Sequence, residues 1–152
     1  MLLKQGNIWT DFDQLDYVCI TTNAIVKANG NLVMGAGIAL DADKHNPNLK
    51  VEFGRQVRER GLSNQFYGLL LAEEKYIAFQ TKYHWRNDSP LELVARSIDM
   101  LRRLALKYPN CTFGLPYPGI NNGKLNPKDI HPLLLQLPDN VTVYHLVNLE
   151  LK

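Results

Sequence analysis

The chain has 152 residues, 45% of them hydrophobic and 21% charged, with a formal net charge of +2. That length and balance suit one soluble domain over 1–152, and the small charge gives no electrostatic reason to bind a membrane surface or bulk nucleic acid. No apolar run approaches the roughly 18 residues of a membrane span. No basic segment followed by a long apolar one opens the chain. A cytoplasmic monomer is the default expectation. The two cysteines, Cys19 and Cys111, lie in apolar strand-like runs and read as small core residues rather than a disulfide or metal pair.

In chain order, 1–4 reads as a first strand closed by Gly6-Asn7-Ile8. Residues 9–15 read as a turn or short helix with Thr10 and Asp11 as local caps. The run 17–22 lacks polar alternation, so it is predicted to be a strand buried on both faces, as in a parallel sheet between helices. A loop with an Asn-Gly-Asn centre covers 23–34. A helix follows over 38–45, Asn46-Pro47-Asn48 breaks it, and a second helix runs over 49–60 to a Gly61 cap. Strands over 66–71 and 76–81 form a hairpin around Glu73-Glu74-Lys75.

A polar, aromatic loop spans 82–88. Ser89-Pro90-Leu91-Glu92 then reads as a helix start, with Ser89 as N-cap, Pro90 in the first position and Glu92 closing a capping box. Leu91, Val94, Ala95, Ile98, Leu101 and Leu104 repeat at the helical period up to about 107. The remaining elements are a strand over 111–115, a Pro/Gly/Asn loop over 116–123, a helix over 127–137 and a strand over 141–147. Strands alternating with helices predict an α/β domain of three layers, α/β/α, around a mixed sheet.

Ligands of open α/β sheets sit beyond the carboxyl ends of the strands. Three loops leave such ends: 23–37, 82–88 and 116–126. The first ends in Gly35-Ala36-Gly37-Ile38 before a helix. Glycines admit close backbone approach, and the open N–H groups of a helix start attract anions. Gly119-Ile120-Asn121-Asn122-Gly123 can form a second anion nest. Two nests face to face suit a diphosphate, although each stretch is also an ordinary strand-to-helix connection. Lys82 stands where a strand ends. It is either a solvated charge or, in a desolvated pocket, a neutral amine able to attack an electrophilic carbon. Trp85 and Arg86 can stack on a base and contact a phosphate, or pack on the sheet.

His45, His84, His131 and His145 show no metal-ligand spacing, so no metal or cofactor is expected. There is no nucleophile elbow and no P-loop, and Gly35-Ala36-Gly37 lacks the third glycine of a dinucleotide fingerprint.

These residues resemble a macrodomain, the ADP-ribose-binding fold, over nearly the whole chain. Gly6-Asn7-Ile8 resembles the family's Gly-Asp-Ile. Met34-Gly35-Ala36-Gly37-Ile38-Ala39 resembles its first phosphate loop, Pro118 to Gly123 its second, and Val141-Thr142-Val143-Tyr144 its late strand. Within the family, Phe79-Gln80-Thr81-Lys82-Tyr83-His84-Trp85-Arg86 resembles the Phe-Pro-Thr-Lys-Arg-His-Trp-Arg run of the DNA ADP-ribosyl glycohydrolase antitoxins, a branch that also holds the terminal ADP-ribose protein glycohydrolase. That run carries the branch's catalytic lysine, so the resemblance implies a catalytic Lys82.

It also implies an adenine site at Asn7 and Ile8, and a diphosphate held by Gly35, Ala36, Gly37 and Ile38 and by Pro118, Gly119, Ile120, Asn121, Asn122 and Gly123. The distal ribose falls to Asn23 or Asn31. Two positions depart from the family: its adenine-binding acid is Asn7 here, and the second-loop aspartate of the protein glycohydrolase is Gly123. The implied activity is removal of ADP-ribose from a modified target, a DNA nucleobase first, with single-stranded DNA as a candidate partner. The alternatives are a reader that binds ADP-ribose without cleaving it and an ADP-ribose 1″-phosphate phosphatase.

Overall fold

The computed structural model describes residues 1–151. Six strands, β1 (Leu2–Gln5), β2 (Tyr17–Thr22), β3 (Leu69–Ala72), β4 (Tyr76–Gln80), β5 (Phe113–Pro116) and β6 (Val141–His145), form one sheet in the order β1-β6-β5-β2-β4-β3. All neighbours run parallel except β3, which pairs antiparallel with β4. The sheet is therefore mixed, as expected.

Side chains alternate across it. Val18 and Ile20 of β2 and Ala78 of β4 join one core, with Leu49, Phe53 and Val57 of α2 (Asn48–Glu59) and Ala39 and Ala42 of α1 (Gly37–His45). Cys19, Ile77 and Phe79 point the other way. They meet Val94, Ile98 and Leu101 of α3 (Leu91–Lys107) and Ile130 and Leu134 of α4 (Pro127–Leu134). This period-two division of one apolar run between two helical layers is what a strand buried on both faces does. Phe53, Phe79 and Phe113 are fully buried, and truncating any one to Ala is expected to remove about 3–5 kcal/mol. Among the described residues no helix is long and apolar enough to cross a membrane.

Several element boundaries differ from expectation. The segment after Gly6 is a 3₁₀ helix (Ile8–Gln14) capped by Asn7, whose Oδ1 accepts from the Trp9 amide at 3.0 Å, rather than by Thr10 or Asp11. Asp11 instead accepts from Lys4 Nζ and the Tyr144 hydroxyl. The first hairpin strand starts at Leu69, because the Tyr67 and Gly68 amides donate to the Gln80 side chain at 2.7 and 3.0 Å and leave the ladder.

The capping box at Ser89 does not form. Helix α3 starts at Leu91 after an extended Pro90, and the Ser89 hydroxyl is buried without a hydrogen-bond partner. The Ser89 amide donates to the Gly123 carbonyl at 2.9 Å, which holds the residue against the loop after β5. Helix α4 and strand β6 end earlier than expected, at Leu134 and His145.

The order of strands places the loops. The chain leaves β2 for β4 on one side and then crosses to β5 on the other, so β2 lies at a switch point. The carboxyl ends of β1, β2, β4, β5 and β6 share one edge, because these five strands are parallel.

Candidate functional site

A cleft of about 910 Å³ opens at that edge. Its floor is the end of β2. Thr22 and Asn23 are buried there, and the Tyr67 hydroxyl donates to the Asn23 carbonyl at 2.6 Å. The Asn23 side chain pins the loop that follows: Nδ2 donates to the Val33 carbonyl and Oδ1 accepts from the Ile25 amide, both at 3.0 Å. One amide hydrogen of Asn23 remains for a ligand.

The first loop ends where α1 begins at Gly37, whose φ of +58° is a left-handed conformation that favours glycine. No side chain caps this helix, and Ala36 before it is extended. Its first-turn N–H groups are therefore available to an anion, with the helix dipole behind them. The second loop stands opposite: a Cβ on Gly37 would lie 3.7 Å from Asn122 Nδ2. This loop is tightly wound. Gly119, Asn121 and Lys124 all have positive φ, and the Leu125 amide closes back onto the Gly119 carbonyl at 2.8 Å. The Gly123 amide turns inward to the Ile120 carbonyl at 3.2 Å, which removes it from the row of N–H groups facing the cleft.

Lys82 enters from the end of β4, where the amides of Thr81 and Lys82 bond the Thr22 carbonyl at 3.0 and 3.4 Å. Its Nζ donates to the Asn122 carbonyl at 3.0 Å and the Trp85 carbonyl at 3.3 Å. Burial pushes its pKa below the ordinary lysine value; Asp88 opposes this and Lys124 adds to it. The lysine thus bridges its own loop and the second anion loop, and a larger fraction of it is the neutral amine than of an exposed lysine.

At the far end, Asn7 and Ile8 line the cleft. The Gly6 amide holds the end of β6 through the His145 carbonyl at 2.9 Å. The Lys4 ammonium and, to a smaller degree, the Tyr144 hydroxyl, which donates to Asp11 Oδ2 at 2.8 Å, keep the Asp11 carboxyl below the usual range. The oxygen of the Asn7 amide is already engaged by Trp9, so its NH₂ group is the part left open.

Of the residues singled out in the sequence, Asn7, Ile8, Asn23, Gly35, Ala36, Gly37, Ile38, Lys82, Gly119, Ile120, Asn121, Asn122 and Gly123 line this one cleft. Asn31 and Pro118 do not. Asn31 sits in a turn over α2: its carbonyl accepts from the Lys27 amide, and its Cα lies close to Gly54. Of the two asparagines, Asn23 is the one that lines the cleft. The cleft also contains Trp9, Asp41, Asp88, Ser89 and Lys124, which sequence reasoning did not assign to it. The position of Asp88 and Ser89, a few residues after Lys82, was the available signal.

No family model matches the chain, and no curated protein matches it in sequence. Solved structures do. The Thermosipho africanus DarTG chain in complex with ADP-ribose superposes with a TM-score of 0.72 at 22% identity, over 94% of this chain. This chain spans 41% of the length of that one. The macrodomain of Thermus aquaticus DarG has a TM-score of 0.72 at 23% identity, covering 94% of this chain and 95% of that one. The macrodomain of Mycobacterium tuberculosis DarG has a TM-score of 0.68 at 24% identity, covering 94% and 97%. The fold of this chain is the macrodomain fold.

Proposed function

We propose that this macrodomain binds ADP-ribose in the cleft and hydrolyses it from a modified target by means of Lys82, the target being a nucleobase of single-stranded DNA. The observation that carries the reading is that Lys82 lines the same cleft as both glycine loops and donates its Nζ to the Asn122 carbonyl of the second. ADP-ribose bound in DarTG, a chain of the same fold, supports the choice of ligand.

In this reading the adenine lies at Asn7 and Ile8. The diphosphate lies between the start of α1 and Gly119 to Asn122, and the distal ribose lies over Asn23. That order sets the anomeric carbon beside Lys82. The neutral amine attacks this carbon as the bond to the base nitrogen breaks, and the surplus proton of the new ammonium passes to the departing base. Water then replaces the lysine at the same carbon, giving free ADP-ribose and regenerating the amine.

The test is to incubate the protein with ADP-ribosylated single-stranded DNA, ADP-ribosylated protein and ADP-ribose 1″-phosphate side by side. Release of ADP-ribose from the DNA is the expected result. Tight calorimetric binding of ADP-ribose with no release from any substrate would make the protein a reader. Inorganic phosphate from the third compound would make it a phosphatase.

A further inference from the structure

The loop between β4 and α3 presents a surface that the ADP-ribose cradle does not use. Trp85 is 45% exposed at the wall of the cleft. The Arg86 guanidinium lies over its ring, 5.0 Å from the centroid, and the His84 ring stands tilted to it, with centroids 5.2 Å apart. The loop is braced to hold this shape. The Arg86 amide donates to His84 Nδ1 at 3.1 Å, the Asn87 amide to the His84 carbonyl at 3.1 Å, and Lys82 Nζ to the Trp85 carbonyl at 3.3 Å. The charged side chains of this cleft include Lys82, Arg86 and Lys124 against two carboxylates, Asp41 and Asp88, and the Asp88 oxygen is 3.9 Å from Lys124 Nζ. A half-exposed indole, with a guanidinium over one face and an excess of positive charge around it, is the pattern that takes a base on the free part of the ring and a phosphate on the guanidinium.

We infer that this loop is a second subsite, for the unmodified nucleotide next to the ADP-ribosylated one in a single strand. Its base stacks on Trp85, and its phosphate is held by Arg86 and Lys124. The inference rests on the reading that the target is a nucleobase. A single strand fits and a duplex does not. The ring offers one flat face to one exposed base, and Lys82 reaches the anomeric carbon only if the modified base has left its stack. Because every base has a π face, the subsite accepts any sequence.

The experiment compares hydrolysis of an ADP-ribosylated mononucleotide with that of an ADP-ribosylated hexamer, in deoxyribose and ribose forms. The unmodified hexamers are titrated in parallel by tryptophan fluorescence. The hexamer is expected to be preferred by about tenfold in kcat/KM, the scale of one stacked base, and the preference is expected to lie in KM. Trp85→Ala removes the preference and the hexamer-induced quenching. Trp85→Phe retains most of both, and Arg86→Gln flattens the salt dependence. Equal losses on mononucleotide and hexamer with Trp85→Ala, or no preference in the wild type, would overturn the subsite, as would a preferred ADP-ribosylated peptide. If no substrate is cleaved, the hydrolase reading fails by itself. The titration then decides the subsite: quenching that depends on Trp85 upholds it, and no binding of either hexamer overturns it.

Discussion

Gly123 is the tightest point between the second anion loop and the rest of the site, and a single methyl there tests the geometry. A Cβ on Gly123 would lie 3.0 Å from the Ser89 Cβ and inside contact distance of the Ser89 hydroxyl. Ser89 is 4% exposed, and its amide is bonded to the Gly123 carbonyl at 2.9 Å, so neither residue can move away alone. In Gly123→Ala the loop must lift, and the neighbouring Asn122 carbonyl must leave Lys82 Nζ. Overpacking of this kind costs about 1–3 kcal/mol. In a domain of this size each kcal/mol lowers Tm by about 2–4 °C, so a fall of about 2–12 °C is expected in thermal unfolding. ADP-ribose affinity, measured by calorimetry, falls with it.

The companion change, Ser89→Gly, removes both offending atoms. In the double variant the loss at Gly123 is expected to shrink, a coupling of about 1 kcal/mol or more between residues in contact. Ser89→Ala alone is expected to raise Tm, because it deletes a buried hydroxyl without a partner, a group that costs about 1–3 kcal/mol to bury. Gly123→Ala melting at the wild-type temperature with unchanged affinity, or additive behaviour of the pair, would refute the contact.

Two further outcomes follow from other parts of the structure. If neutral Lys82 is the reacting form, hydrolysis rises with pH, and its half-rise lies below the ordinary lysine value. Asp88→Asn removes a charge that holds the proton on and is expected to move the rise to lower pH; Lys124→Gln removes one that drives it off and is expected to move the rise to higher pH. A pH–rate profile that neither substitution shifts would contradict this. In Gly54→Ala the new methyl would press on the Gly30 carbonyl oxygen, 2.7 Å from the Leu32 nitrogen and 2.9 Å from the Asn31 Cα, all of them backbone. No rotamer relieves this, so a loss of about 3 kcal/mol is expected in denaturant unfolding, and an unchanged midpoint would refute it.

The sequence was most legible where one physical cause dominates. The run 17–22 lacks polar alternation because β2 has a helical layer on each side, and β4 lies between the same two layers. The glycine loops were legible because a left-handed Gly37 and Gly119 leave few other choices of residue. Ser89 was misread because its local pattern is a good helix cap, while a carbonyl thirty-four positions away claims its amide. A short-range motif carries no trace of such a competitor. Asn23 and Asn31 were indistinguishable in sequence, since both are asparagines in a turn-rich loop. Only the fold shows that one faces the cleft and the other faces α2. Lys82 stood out through the run of residues around it. Its partner, the Asn122 carbonyl, is backbone and has no signature in any side chain.

The central claim is that Lys82 does the chemistry while the glycine loops hold the ligand. The most direct measurement is turnover of ADP-ribosylated single-stranded DNA by Lys82→Ala beside wild type, with the affinity of each for free ADP-ribose determined by calorimetry. The expected result is turnover reduced about a hundredfold or more, the scale of losing a group that acts in the transition state, with ADP-ribose still bound. Undiminished turnover by Lys82→Ala would contradict it.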